Sequence, residues 1–260
     1  MASLVETPEY LHASNQLKSA ENLALYNAAN AGSASGVEGA LKKGAKPNYI
    51  HNPDDQKTSL HIAAENGYHA IVKILLENGA DVDIASGATK NTALILAAHS
   101  GSADTVSLLL SSGAEATAAN CYGNTALHEA AQDGNDEIIA ILLKAAAHPN
   151  AKNHKGSTAL NFFCYGKDAQ THPTQTAKLL LDGGANASSS DDAGMTPLLV
   201  ACTVGRSDLI SLLMEFGACP TVKDDSGRSA EDIAKFHGYQ DLMVRFGPNS
   251  PSKRFGDRSL

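Results

Sequence analysis

Gly123–Asn150 reads Gly-Asn-Thr-Ala-Leu-His-Glu-Ala-Ala-Gln-Asp-Gly-Asn-Asp-Glu-Ile-Ile-Ala-Ile-Leu-Leu-Lys-Ala-Ala-Ala-His-Pro-Asn. The pattern describes two short helices. Thr125 is placed to start the first, because its hydroxyl can take an unpaired backbone N–H of the first turn. Leu127, Ala130 and Ala131 share one face at i, i+3, i+4 spacing. Gly134 follows, where a left-handed stop is wanted. A second apolar stripe runs through Ile138, Ile139, Ile141, Leu142 and Leu143. Neither helix can bury its stripe alone, so the stretch needs neighbours that repeat it.

The neighbours do repeat it. Thr58, Thr92, Thr125, Thr158, Thr196 and Ser229 follow one another at steps of 34, 33, 33, 38 and 33. The glycine closing the first helix recurs at Gly67, Gly101, Gly134, Gly205 and Gly238. A Gly-Ala pair after the second helix recurs at Gly79, Gly113, Gly184 and Gly217, with Ala146-Ala147 standing in once. Three independent markers share one register.

On the words Thr58-Ser59-Leu60-His61-Ile62-Ala63-Ala64, Thr92-Ala93-Leu94, Thr125-Ala126-Leu127-His128-Glu129-Ala130-Ala131, Thr158-Ala159-Leu160 and Thr196-Pro197-Leu198, the chain resembles the ankyrin-repeat family. That family's signature is Gly-x-Thr-Pro-Leu-His-x-Ala-Ala at a period near 33. The resemblance implies an all-α solenoid of helix–turn–helix units joined by β-hairpin-like loops, with about seven repeats including degenerate caps. Residues 20–246 are expected to form it, as repeats 20–53, 54–86, 87–119, 120–152, 153–190 (with an insertion), 191–223 and 224–246. Residues 1–19 form a lead-in whose Leu4, Val5, Tyr10, Leu11 and Leu17 could cover the first repeat. Residues 247–260 form a tail whose composition predicts disorder. Its Ser250-Pro251-Ser252-Lys253 makes Ser250 a candidate phosphosite.

The chain has no Trp and is 5% aromatic, so Ala and Leu must do the packing. A net charge of −8 disfavours nucleic acid and acidic membrane surfaces as partners. No apolar run is long enough to span a bilayer, and Met1–Tyr10 lacks the pattern of a secretory signal. Four cysteines without tight pairing suggest a reducing compartment, so cytoplasmic and also nuclear locations are expected.

Departures from the register are informative. In the first repeat Glu21, Asn22 and Asn27 are expected to supply a polar outer face. Gln56 and Lys90 stand where the family has its hairpin glycine, so these two hairpins should be shaped differently. In repeat five, Asn161-Phe162-Phe163-Cys164-Tyr165 replaces the His-x-Ala-Ala region, and two phenyl rings should push helices apart or rotate a repeat. Five extra residues then lie within Gly166–Pro173. They read either as tolerated loop drift or as a partner-binding finger or a kink that sets curvature. In repeat seven Glu231 and Asp232 suit a C-terminal cap, followed by a second helix near Tyr239–Phe246.

No phosphate loop, nucleophile elbow or convincing carboxylate pair is present, so no catalytic residue and no cofactor is expected. No Cys-x-x-Cys pair suggests zinc, so no metal site is expected. The resemblance implies structural roles for His61 and His128. Cys164 and Cys202 fall at core positions, and Cys121, at a hairpin tip, is expected to be the exposed thiol. Asp54-Asp55, Asp191-Asp192 and Asp224-Asp225 suit turn chemistry. Asn48 and Asn150 stand where the family can carry asparaginyl hydroxylation.

The resemblance further implies binding of a protein partner through a concave face made of hairpin tips and first-helix positions. The register puts Asp54, Asp55, Lys57, Glu65 and Asn66 there from repeat two. Repeat three adds Ala88, Thr89, Asn91, His99 and Ser100, and repeat four adds Cys121, Tyr122, Asn124, Gln132 and Asp133. Repeats five and six add His154, Lys155, Ser157, Tyr165, Asp192, Ala193, Met195, Thr203 and Val204. Tyr122 and Tyr165 are the expected anchors, since tyrosine is enriched at interface hot spots, with Met195 extending the patch. The expected function is a non-catalytic scaffold or adaptor. The alternatives are a regulatory, inhibitory or assembly subunit of an enzyme complex, or an effector acting in a host cell. Capped ends favour a monomer.

Overall fold

The computed structural model describes residues 20–50, 55–166, 173–241 and 246. Several expectations fall outside them: the lead-in 1–19, Asp54, the insertion at 167–172, most of the second helix of repeat seven, and the tail with Ser250. The chain divides into two compact units, Met1–Cys121 and Tyr122–Leu260.

In the first unit, α1 spans residues 20–30. It is followed by α2 (Ala34–Lys42), α3 (Ser59–Glu65), α4 (His69–Glu77), α5 (Ala93–His99) and α6 (Ala103–Ser111). In the second unit lie α7 (Ala126–Gln132), α8 (Asp136–Lys144), α9 (Ala159–Tyr165), α10 (Pro173–Asp182), α11 (Pro197–Thr203), α12 (Ser207–Glu215) and α13 (Ala230–His237). Both units have two rows. In the first, α3 packs on α5, and α2, α4 and α6 form the row behind. In the second, α7, α9, α11 and α13 stack in turn, backed by α8, α10 and α12. The front helices α3, α5, α7, α9 and α11 each also pack on the back helix that follows them.

The motif residues explain why the front helices stop at about two turns and stack. In α7, Thr125 caps the helix, and His128 answers it. The His128 Nδ1 accepts the Thr125 backbone N–H at 3.1 Å. Its Nε2 lies 3.1 Å from the Ser157 carbonyl in the next repeat. A carbonyl can only accept, so Nε2 carries the proton and the ring is neutral. His61 does the same for Thr58 and the Asn91 carbonyl. Burial holds both imidazoles below their ordinary pKa. The motif histidine is therefore a cap and a tie between repeats, as the resemblance implies.

Repeat five keeps this device with another residue. Asn161 Oδ1 accepts the Thr158 N–H at 3.1 Å, and its Nδ2 donates to the Met195 carbonyl at 3.2 Å. The expected disruption by two phenyl rings is also halved. Phe163 enters the core, 1% exposed, with the Arg206 guanidinium over its ring. Phe162 stays half-buried on the front surface, its ring centroid 5.2 Å from that of His128 in an edge-to-face arrangement.

Two other expectations are corrected, and the expected difference in hairpin shape holds at Lys90. Gln56 and Lys90 adopt φ of 49° and 52°, the left-handed conformation of the hairpin glycines at the same place. Each keeps the left-handed conformation at that one position, at the backbone cost a side chain brings there. The Lys90 hairpin absorbs its extra residue by closing Ser86 N–H on Asn91 O, where the Gly156 hairpin closes Asn153 on Ser157. Asn22 is buried rather than facing water, because its Oδ1 accepts the Lys46 N–H at 2.7 Å. Cys121 is half-buried, and Cys219 is the exposed thiol. Cys164 and Cys202 are buried as expected, and burial pushes both thiols up to about 12.

Among the described residues no helix is long and apolar enough to cross a membrane.

Candidate functional site

Hairpin tips are positioned by their own acids and amides. In the second unit, Asn153 Oδ1 accepts the N–H groups of Lys155 and Ser157 at 2.9 and 3.0 Å. Asp191 Oδ1 does the same for Ala193 and Met195 at 2.9 and 3.0 Å. Asp224 repeats it for Ser226 and Arg228. Adjacent tips are then linked by the backbone: His154 N–H donates to Tyr122 O, and Asp192 N–H to Lys155 O. This approach requires glycine at 156. Its φ is +70°, and a Cβ there would meet the Asp192 nitrogen at 2.9 Å.

Against this row of tips α7 and α9 present their outward residues. Together they enclose an open cleft of about 860 Å³. Gln132, Asp133, His154, Lys155, Ser157, Phe162, Tyr165, Gly166, Asp191, Asp192 and Ala193 line it. Tyr165 is 52% exposed, and its hydroxyl donates to Asp191 Oδ2 at 3.2 Å. Burial first, then the charge of Asp191, pushes the phenol up to about 12, so the ring stays neutral and keeps its donor. The cleft thus offers aromatic surface, three carboxylates, one ammonium and one imidazole. Among the described residues no group of three or more His, Cys, Asp or Glu side chains could hold a metal ion.

The structure thus brings together Gln132, Asp133, His154, Lys155, Ser157, Tyr165, Asp192 and Ala193 from the positions read in the sequence. Tyr122 is 62% exposed but does not line the cleft. Asn124 is occupied within the fold, its amide donating to Glu129 and its oxygen accepting from Asn153. Met195 is half-buried and bonded through its backbone to Asn161 and Asp191. Phe162, Gly166 and Asp191 line the cleft and were not selected from the sequence. Phe162 could have been found: it holds the outward first-helix place that Glu129 holds one repeat earlier.

In the first unit the selected residues are largely committed to local structure. Asp55 Oδ1 accepts the Lys57 N–H, and the Lys57 ammonium pairs with Glu65. Asn66 donates to the Ile62 carbonyl at 2.8 Å. Thr89 pairs with Ser86 through their hydroxyls, and Asn91 accepts from both His61 and Asn120. His99 is exposed at the end of α5. Asn48 and Asn150 also tie repeats together. Asn150 Oδ1 accepts the Asn186 N–H at 2.7 Å, and its Nδ2 donates to the Gly184 carbonyl at 2.8 Å. Asn48 makes the same pair of bonds with Asp81 and Gly79.

The family model described as "Ankyrin repeats (3 copies)" matches residues 4–86, 83–153 and 160–244. The chain is 38% identical over 88 residues, 34% of its length, to the Caenorhabditis elegans "Ankyrin repeat and LEM domain-containing protein 1 homolog". It is 30% identical over 197 residues, 75% of its length, to "Ankyrin repeat and KH domain-containing protein mask-1" of the same organism. The chain spans only 12% and 7% of those two proteins. A shorter match, 33% over 72 residues, covers 28% of the chain and 46% of the human "Protein phosphatase 1 regulatory subunit 27". Among solved structures, the human ASB11 ankyrin repeat domain superposes with a TM-score of 0.76 at 30% identity, covering 87% of this chain and 99% of that one.

Proposed function

Because the chain is a member of the ankyrin-repeat family, whose domains serve generally in protein–protein interaction, we propose that it is a non-catalytic scaffold or adaptor. It docks a protein partner in the cleft between α7, α9 and the hairpin tips of the second unit. One observation carries this reading. Repeat five keeps its cap through Asn161, yet it places Phe162 and Tyr165 on the outward side of α9, over an open cleft. Aromatic area of that kind serves partner binding rather than the stack, which Phe163 already fills. A cytoplasmic or nuclear location and a monomeric state complete the proposal.

Affinity capture tests it with three baits: wild type, Tyr165→Ala in the cleft, and Glu137→Ala on the exposed side of α8. A protein retained by wild type and Glu137→Ala but lost by Tyr165→Ala is the expected result. Equal retention by all three removes the cleft from the account. A second reading, regulation of an enzyme partner, draws on the match to a relative named as a phosphatase regulatory subunit. It predicts that the captured partner's activity changes on binding.

A further inference from the structure

The cleft owes its shape to three departures of repeat five from repeat four. Phe162 stands in the place of Glu129, Tyr165 in that of Gln132, and Gly166 in that of Asp133. Two polar side chains have become rings and a third has gone. Gly166 is also constrained to remain bare, since a Cβ there would meet the Gln132 carbonyl at 2.6 Å. The result is an aromatic wall over an open floor.

The rim is acidic. Asp133, Asp191 and Asp192 line the cleft against a single ammonium, Lys155. Asp191 is committed: one oxygen holds its own turn, and the other accepts the Tyr165 hydroxyl. Asp192 is exposed, and its carboxylate lies against Gly156, whose missing side chain leaves that oxygen room at the cleft edge. A carboxylate beside exposed rings suits a cation that is flat. Guanidinium can stack on a ring face and fork to a carboxylate at once, whereas ammonium is a hydrated point charge.

We propose, resting on the reading of the cleft as the docking face, that it takes an arginine side chain from a basic segment of the partner, stacked on Tyr165 or Phe162 and hydrogen-bonded to Asp192. The net charge of −8 draws such a segment in from a distance. Three carboxylates on the rim reject an acidic or phosphorylated one.

A random-peptide phage library panned on the immobilised full chain supplies the probe. The strongest enriched peptide is synthesised and titrated by fluorescence anisotropy. Enriched peptides should carry arginine. Tyr165→Ala should weaken binding by about tenfold, the scale of a modest hot spot. Tyr165→Phe, which keeps the ring, should retain binding. Asp192→Asn should weaken it by about three- to fivefold, as expected of a solvent-exposed pair. Replacing the peptide's arginine by citrulline should cost less against Asp192→Asn than against wild type, the mark of direct coupling. Peptides that lose binding with Tyr165→Ala but are neutral or acidic overturn the arginine proposal and leave the docking face standing. Peptides that bind Tyr165→Ala as well as wild type, or no enrichment over blank support, overturn both.

Discussion

Replacing His128 by alanine should cost far more stability than an exposed polar residue would. The ring is 1% exposed, and it answers three groups: the Thr125 N–H, the Thr125 hydroxyl and the Ser157 carbonyl. Thr125 and Ser157 are themselves buried, so water cannot replace the lost partners. An orphaned buried polar group costs about 1–3 kcal/mol. The Thr125 N–H is left without its partner, the Ser157 carbonyl keeps its bond from the Asn153 N–H, and a small cavity adds to the cost, together giving about 2–4 kcal/mol. The structure supplies its own control. Asn161 makes the equivalent bonds in repeat five, so His128→Asn should keep both backbone partners. It should lose mainly the edge contact with Phe162, about 1 kcal/mol. Urea unfolding followed by circular dichroism at about pH 8, where free imidazole is neutral, measures both variants. A His128→Ala cost below about 1 kcal/mol, or equal costs for the two variants, would refute the reasoning.

Three further outcomes follow from buried or exposed groups. His61 and His128 are held below the ordinary imidazole pKa by burial, so the unfolded chain takes those protons first as pH falls. Their contribution to stability is full above about pH 6.5 and is lost as pH falls from there through the folded pKa. A double His61→Asn, His128→Asn variant should show a shallower acid loss, and an unchanged slope would contradict this. Thr105 buries a hydroxyl with no hydrogen-bond partner, so Thr105→Val should raise stability by about 1 kcal/mol in the same urea assay. Cys219 is exposed, and the Thr221 hydroxyl and backbone lower its thiol pKa, whereas burial raises Cys164 and Cys202. Maleimide labelling read by mass spectrometry should mark Cys219 well ahead of those two, and equal labelling would count against the burial.

The repeat markers carried the fold because each answers a local need: a capping threonine, a left-handed stop, an apolar stripe. Such needs are written in adjacent residues, so register alone located α7, α9 and their caps. The cleft was only partly legible. Tyr165, His154 and Asp192 follow from register, since they hold fixed places in successive repeats. Asp191 was read as a turn former, which it is, but its second oxygen reaches a tyrosine of the previous repeat. That pairing depends on how two repeats stack, and no local pattern states it. Phe162 and Phe163 are adjacent rings with opposite fates. Helix phase sends one inward and one outward, a distinction that side-chain bulk does not carry. Cys121 is half-buried and Cys219 exposed, because a hairpin-tip position by itself does not fix a side chain's burial. Gln56 and Lys90 show residue type yielding to context: the turn is held by its neighbours, and the side chain accepts a left-handed backbone.

The central claim is that repeat five's outward aromatics form the docking face. Site-specific photocrosslinking tests it most directly, with p-benzoylphenylalanine placed at Tyr165 or, as the comparison, at Glu137 on α8. The account predicts a protein adduct from position 165 that acid-rim variants such as Asp192→Asn reduce, and none from position 137. An adduct from position 137 alone, or from neither position, would contradict it.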